Sequence, residues 1–475
     1  MSSRQVRLVA LISFLAVLLT LLSSCGADQV AGIEGSGAPV ASDVTTTGPI
    51  NGFGSIFIDG VEYDTATAQI RIDDQPATEA DLRIGHVVTV VGTLNADGKK
   101  GTAKQVTLTS DVRGDVASVD VTASTFVVLG QTVRVTADTL FDESTQAQDL
   151  AGLKSGIKVR VSGFTSATGE VLASRIDGAA TAAADVQVSG KIRNLDATAR
   201  SFRVNNLVVD YRGATVTGSL AEGSDATVHG TTAADGSLVA TQITVATGEP
   251  VAAGEKGQLE GLITTFDSSS SFVVDGQPVS TNASTKFNLH GLTLGPDVLV
   301  KVRGTFDSSR VLVADQVEAK PSTASLARGA VDSVSVAEGT LRVLGITAKT
   351  SASTTFEDKG ADKKRQFTLS DVSVGDYVEV RGVAAAGEPL IASAVQRSKA
   401  DNRSYVQGIA QELAPPGFKV LGLSVVTDAN TSFPGLSGGA KGADAFFEQA
   451  ANQIVSVRGT MNGNTLLADQ VRIVK

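Results

Sequence analysis

Val159-Arg160-Val161-Ser162-Gly163, followed ten residues on by Ala173-Ser174-Arg175-Ile176, is one copy of a pattern that occurs six times in this chain. The same Val-x-Val-x-Gly recurs at Val88–Gly92, Val300–Gly304, Val378–Gly382 and Val455–Gly459, and with alanine first at Ala226–Gly230. The closing glycines stand 67 to 78 residues apart, and each is followed after 9 to 11 residues by Ala-x-x-Ile or Ala-x-x-Val. Between the two landmarks lie turn pairs such as Asp97-Gly98, Thr168-Gly169, Asp235-Gly236 and Asn462-Gly463. A period of two puts both valines on one face of a strand and the intervening Arg, Lys, Glu or Ser on the other. The pattern therefore predicts a strand, a tight hairpin and a second strand.

Working upstream, each unit has an aromatic or aliphatic strand and a turn, as in Phe126–Gly130, Phe272–Gly276 and Phe418–Gly422. The next strand ends Thr-x-Phe at Thr139/Phe141, Thr285/Phe287, Thr354/Phe356 and Thr431/Phe433, and repeats one and three lack this ending. An opening strand carries Gly114, Gly190, Gly261, Gly329 or Gly408. Between the third and fourth strands lies a variable segment, often with a Leu ahead of a Gly (Leu82/Gly85, Leu153/Gly156); in the last unit Ala443–Ala451 is long enough for one or two helical turns. Five strands with one apolar face bury best when the sheet closes, because closure removes open edges. The order strand-strand-strand-(helix)-strand-strand is that of an OB-like barrel, with an SH3-like barrel or half a β-sandwich as the alternative. The expected fold class is all-β, a tandem array of six small five-stranded barrels bounded at 46–110, 111–180, 181–250, 251–322, 323–400 and 401–475.

The amino terminus reads as a targeting segment. Arg4 and Arg7 precede an apolar run from Leu8 to Leu22, and Ser23-Ser24-Cys25-Gly26 follows. The run is shorter than the roughly 20 residues a spanning helix needs, and its small-residue end fits a cleavage site. An ordinary secretion signal would read the same as far as Ser24. The chain has a single cysteine, however, and it stands at that place. The segment resembles the lipobox of bacterial lipoproteins, which implies cleavage after residue 24 and a lipid on Cys25. Residues 26–45 are small and polar and read with Cys25 as a flexible tether. The expected location is the bacterial cell envelope, either outer membrane and periplasm or the cell surface, with the membrane as partner through the lipid.

Composition narrows the rest. Forty Lys and Arg against 50 Asp and Glu give a net charge of −10, and loss of the first 24 residues would make it two units more negative. Phosphate binding needs clustered cations, so nucleic acid is not an expected partner. One cysteine allows no disulfide within the chain.

The stretch Gly48-Pro49-Ile50-Asn51-Gly52-Phe53-Gly54-Ser55-Ile56-Phe57-Ile58-Asp59-Gly60, with Leu82-x-x-Gly85 and Val88–Gly92, resembles the first unit of bacterial lipoproteins built from a repeat catalogued as domain of unknown function 5666 (DUF5666). Its motifs are turn glycines and core valines. The resemblance implies a fold and carries no activity and no site residue.

A search for chemistry yields little. His86, His229 and His290 fall in different repeats without Cys or paired acids at ligand spacing, so they read as surface histidines; no metal site, cofactor or catalytic set is expected. Asp73-Asp74 and Asn95–Gly98 lack the ligand run of a calcium loop and read as turns. Arg113-Gly114-Asp115 spells an integrin-binding tripeptide but contains the repeated opening-strand glycine. Gly438–Gly442 lacks the full phosphate-loop pattern, and Lys363-Lys364-Arg365 reads as a solvated basic loop. With no Trp and four Tyr, stacking on bases or sugars is under-supplied. The expectation is a non-enzymatic envelope lipoprotein with a structural, adhesive or scaffolding role toward an envelope protein or polysaccharide. A lipoprotein gripping a glycan or small molecule through one divergent repeat is the second reading, and an enzyme with an unusual acidic site the third. Phe446 and Phe447, adjacent on a short helix in the repeat farthest along the chain from Cys25, are the candidate partner contacts. Neighbouring helical residues point about 100° apart, so one ring should cap the barrel and the other stand partly exposed.

Overall fold

The computed structural model describes residues 42–474, apart from 54, 137, 148, 180–185, 247–250, 321–324, 352–353, 385–387, 435 and 437–440. Cys25 and the segments assigned to signal and tether up to residue 41 lie outside the described residues. The first strand of repeat one begins at Ser42, so residues 42–45, read as tether from sequence, are strand.

Repeat two shows the unit. Its five strands are Val112–Asp120, Thr125–Val128, Gln131–Arg134, Lys158–Thr165 and Val171–Gly178. The first pairs with the second, the second with the third, the third in parallel with the fifth, the fifth with the fourth, and the fourth with the first. The circuit 1-2-3-5-4-1 is closed, and its order is that of an OB-like barrel. The same circuit closes in repeat one, three, four, five and six.

The sequence signature has a steric cause. In every repeat the ladder between the fourth and fifth strands slips one residue at the signature glycine. A Cβ on Gly92, Gly163, Gly230, Gly304, Gly382 or Gly459 would lie only 1.9 to 2.2 Å from a carbonyl oxygen of the opposite strand. The residue facing each glycine is the signature alanine, and all six alanines are buried. Glycine and alanine recur because the bulge presses two backbones together. The Thr-x-Phe ending belongs to the same device. Thr139, Thr285, Thr354 and Thr431 each donate their hydroxyl, at 2.7 to 2.8 Å, to the carbonyl of the signature alanine in their own repeat.

The six barrels do not follow one another as separate beads. Residues 42–475 form one compact unit, and their strands merge into three sheets that join repeat one with four, two with three, and five with six. The first strand explains the pairing. In repeat five its leading half, Ser325–Ala330, pairs with the fourth strand, and its trailing half, Val331–Ser335, pairs with the second. The other edge of the leading half would be open, and open edges seek a partner. Leu326–Arg328 take Tyr405–Gln407 of repeat six, antiparallel. Repeats two and three meet through Arg113 and Val112 against Gln187 and Val188, and repeats one and four run parallel through Val44–Thr47 and Lys256–Leu259.

In repeats one, two, four and five the variable segment packs into the barrel end. Leu82, Leu153, Leu294 and Val372 are buried there. In repeat six the helix Gly442–Gln449 does the closing. Phe446 is fully buried, with its ring centroid 5.3 Å from those of Phe418 and Phe433, and Phe447 is half-buried, edge-on to Phe418.

Candidate functional site

The outer face of the fourth and fifth strands, expected to meet solvent, is covered where barrels meet. One such contact is the junction of repeats one, two and five, centred on Arg175 in the fifth strand of repeat two. Its side chain is 1 % exposed. The guanidinium Nε donates to Asp177 at 2.5 Å, Nη1 donates to the Ile84 carbonyl of repeat one at 3.0 Å and to Glu357 of repeat five at 3.2 Å, and Nη2 pairs with Asp142. Three carboxylates from two repeats therefore converge on one cation.

His86 of repeat one completes the cluster. Its Nδ1 accepts the Arg83 backbone N–H at 3.0 Å, and its Nε2 stands 2.6 Å from Asp177. With Nδ1 occupied as an acceptor, the proton sits on Nε2 and the ring donates to Asp177. Burial lowers the His86 pKa, against the pull of Asp177. Burial alone would raise Asp177, but the His86 hydrogen bond and the Arg175 charge outweigh it and hold the carboxyl well below the usual carboxylate range.

The polar contact continues into repeat five. Lys359 donates to the Phe141 carbonyl of repeat two at 2.6 Å, and burial pushes its ammonium below the ordinary lysine value. Arg381 donates to the Thr139 carbonyl at 2.9 Å and to Glu379 at 2.5 Å. Arg328 approaches the other oxygen of Glu379 at 3.2 Å and lies over the Tyr405 ring of repeat six. Burial would raise Glu379, yet Arg381 and Arg328 hold it low. Four cations (Arg175, Arg328, Lys359, Arg381) meet four carboxylates (Asp142, Asp177, Glu357, Glu379). A buried charge set of this kind is tolerated only when its charges are paired, and each member here has an opposite charge beside it, although the Arg328 Nε makes no hydrogen bond.

Smaller junctions follow the same rule. Asp73 accepts from Ser110 and from Gln187 of repeat three, with Arg160 of repeat two at 3.3 Å. Asp59 of repeat one accepts from Arg303 of repeat four, and Thr45 donates to Glu255.

Several residues singled out in the sequence take other places than expected. His86 is buried at a barrel contact and His229 is buried in its strand instead of lying on the surface; His290 stays exposed, 3.5 Å from Glu318. Asp73 and Asp74 both have positive φ and make the turn between strands Gln69–Ile72 and Gln75–Ala77, with the Asp73 carboxylate buried. Arg113–Asp115 lie inside a strand paired on both sides, so the tripeptide is no loop tip. Lys363-Lys364-Arg365 is no free basic loop. Lys363 reaches Glu143 of repeat two at 2.8 Å, Lys364 pairs with Asp371, and Arg365 lies over the Phe53 ring of repeat one at 3.8 Å. Gly438–Ala440 fall outside the described residues. Phe446, at 0 % exposure, is withdrawn from any contact surface, and Phe447 keeps only part of its ring in reach of solvent. Among the described residues no group of three or more His, Cys, Asp and Glu could hold a metal, and no helix is long and apolar enough to cross a membrane.

The junction residues were missed, although one signal was present. At the position of Arg175 the sister repeats carry Gln105, Gln242, Gln316 and Gln470, with Ala394 in repeat five. An arginine replacing a repeated glutamine marks a repeat that does something its sisters do not.

Beside this junction, an open cleft of ≈ 870 Å³ runs between repeats one and five. Asp64, Thr65, Glu79, Lys364 and Arg365 line it together with three alanines and Ile70.

No curated protein matches the chain. A family model described as domain of unknown function (DUF5666) matches five times, over residues 113–177, 189–244, 260–318, 328–396 and 407–472. These are repeats two to six. Repeat one, whose opening stretch carried the resemblance in the sequence, lies outside the matched ranges but closes the same strand circuit. The matches cover more than half of the 475 residues, and the chain belongs to the DUF5666 family.

Proposed function

We propose that this protein is an exported, lipid-anchored scaffold of the bacterial envelope that performs no chemistry of its own. The observation that carries the scaffold reading is the junction around Arg175. Its histidine, carboxylates and buried cations, the kind of set from which an active site is usually built, are engaged in holding barrels together. The lone cysteine after a short apolar run supports the anchor. The family brings no activity that would argue otherwise. The test of anchoring is Cys25→Ser expressed with labelled fatty acid. Loss of label and release from the membrane fraction are expected; undiminished labelling and sedimentation would overturn the anchor.

A second reading, binding of a glycan or small molecule, is favoured by the cleft between repeats one and five. Its paired charges and hydroxyl side chains suit a hydroxyl-rich ligand. A thermal-shift panel of oligosaccharides, read against Arg365→Ala, tests it: a shift in the parent that the variant lacks supports the cleft, and no shift with any sugar removes this reading.

A further inference from the structure

The residue just before each signature glycine points out of its barrel, because the residues on either side of it point in. It is Val91, Ser162, His229, Arg303, Arg381 and Arg458 in repeats one to six. Three of these reach another barrel. The Ser162 hydroxyl accepts the Val87 N–H of repeat one at 2.9 Å, Arg303 donates to the Asp59 carboxylate of repeat one at 3.0 Å, and Arg381 donates to the Thr139 carbonyl of repeat two at 2.9 Å. Arg458 stands at the same place in repeat six and reaches none. It has no ion pair and no side-chain hydrogen bond among the described residues, and its Nε is closed off from water without an acceptor.

The face around Arg458 has the make-up of one half of a seam. Tyr405 of the first strand and Gln470 of the fifth flank it in register, and Arg472, opposite Ser456, is likewise without a carboxylate among the described residues. Ile409 and Leu467 lie in register with Ile454 and Thr460 at the two ends of the fourth strand, and they are 46 % and 43 % exposed. Arginine and tyrosine on a partly apolar surface are what protein interfaces favour.

The acid that Arg458 lacks is carried elsewhere on the chain. Arg303 is met by Asp59, at the tip of the turn between the second and third strands of repeat one. The same turn in repeat four holds Asp275, also at positive φ and also followed by glycine, whereas Leu129, Asn205, Leu344 and Leu421 stand there in the other repeats. The Asp59 side chain is 7 % exposed beneath Arg303. Asp275 is exposed, and its carboxylate has no hydrogen bond or ion pair among the described residues. The turn lies beside Lys191 of repeat three, but that ammonium is taken by Asp225 at 2.9 Å. We propose that the outer face of repeat six is a self-assembly surface, on which Arg458 of one molecule receives the Asp275 turn of a second copy of this chain as Arg303 receives the Asp59 turn within it. Charge complementarity would set which turn docks. Two unlike patches make the contact head-to-tail, so the assembly runs on or closes as a ring instead of stopping at a two-fold dimer. The contact extends the scaffold reading without using Cys25: loss of membrane anchoring would leave it standing, and a monomeric chain would leave the anchor standing.

The test is sedimentation velocity on the full-length chain carrying Cys25→Ser, so that no lipid contributes. Association that grows with concentration and falls with added salt is expected. Arg458→Gln and Asp275→Asn should each weaken it at least about ten-fold, the loss of one charge-assisted pair. Neither should lower the melting temperature, because neither group has a partner within the chain and asparagine accepts the positive φ of the turn. Mixed together, the two variants should form a dimer and stop there, since only one contact between them is intact. A parent that stays monomeric up to its solubility limit would overturn the proposal and leave the face to a partner of another kind. So would association that neither variant weakens, a melting temperature that Arg458→Gln lowers, or a mixture of the two variants that fails to pair or goes on growing.

Discussion

The inside of each barrel and the seams between barrels are built from opposite materials. The interior repeats six times with little change: a glycine against an alanine, alternating valines, and in four copies a threonine bonded to the bulge. The seam around Arg175 occurs once, is charged, and draws on residues that differ from repeat to repeat. Interior positions specify a barrel in any copy. Seam positions specify which copy lies against which, since an apolar seam would let any barrel stick to any other, whereas a buried charge set accepts only the partner that completes it.

The strongest way to break the comparison is at the bulge. Gly163→Ala places a methyl 2.2 Å from the Leu172 carbonyl oxygen, a backbone atom that cannot step aside. Loss of more than about 4 kcal/mol is expected, the range of severe core lesions, seen as loss of a cooperative transition in urea. Gly213→Ala, where a Cβ meets nothing within 4 Å, is the control and should be nearly silent.

Arg175→Gln sharpens the contrast, because it installs the residue that four sister barrels carry. The barrel should persist, with far-ultraviolet circular dichroism unchanged. The seam should weaken, because Asp142, Asp177 and Glu357 lose their shared cation while Asp177 keeps only His86 and Glu357 only Lys359, and melting should split into more than one transition. An unchanged single transition would mean that the seam contributes nothing.

The same seam predicts a pH dependence. Asp177 is held below its ordinary pKa in the folded state, so its contribution is complete above the unfolded carboxylate value of about 4 and is lost as pH falls further. The melting temperature of the parent should drop below pH 4 more steeply than that of Arg175→Gln, in which the main cationic partner is gone.

Smaller effects separate the two regions more finely. Thr431→Val removes the 2.7 Å bond to the Ala468 carbonyl and should cost about 1 kcal/mol by urea denaturation; repeats one and three fold without that threonine, so a collapse would be unexpected. Lys363→Ala breaks an exposed pair with Glu143 across the seam and should leave stability unchanged, as such pairs generally do.

The barrel was legible in the sequence because its physics is local and repeated. Val159–Gly163 announces a bulged strand, Ala173 the strand facing it, and five strands with one apolar face announce closure. The seams were illegible for the converse reason. Arg175 meets Asp142 from 33 residues away and Glu357 from 182 residues away, and no alternation in either strand distinguishes a polar residue facing water from one facing another barrel. His86 was misread for this reason: its polarity suits a surface, and only its neighbours in repeat two make the place an interior. Phe446 and Phe447 were placed on the right helix, and the 100° turn between them does separate a buried ring from a half-buried one, but both rings lean on Phe418.

The pairing of repeats also sets a timetable. A chain made from its amino terminus completes repeats two and three side by side, and later five and six, each with its immediate successor. Repeat one must wait. The parallel partner of Val44–Thr47 is Lys256–Leu259, so the first barrel, whose last strand ends at Leu108, keeps a bare strand edge until 151 further residues have followed. Such an edge invites wrong pairing while it is unpaired, and β-pairings between distant segments form slowly. A chain stopped after repeat three would be left with that edge for good, which makes truncation, more than any single substitution, the lesion to which this architecture is most exposed.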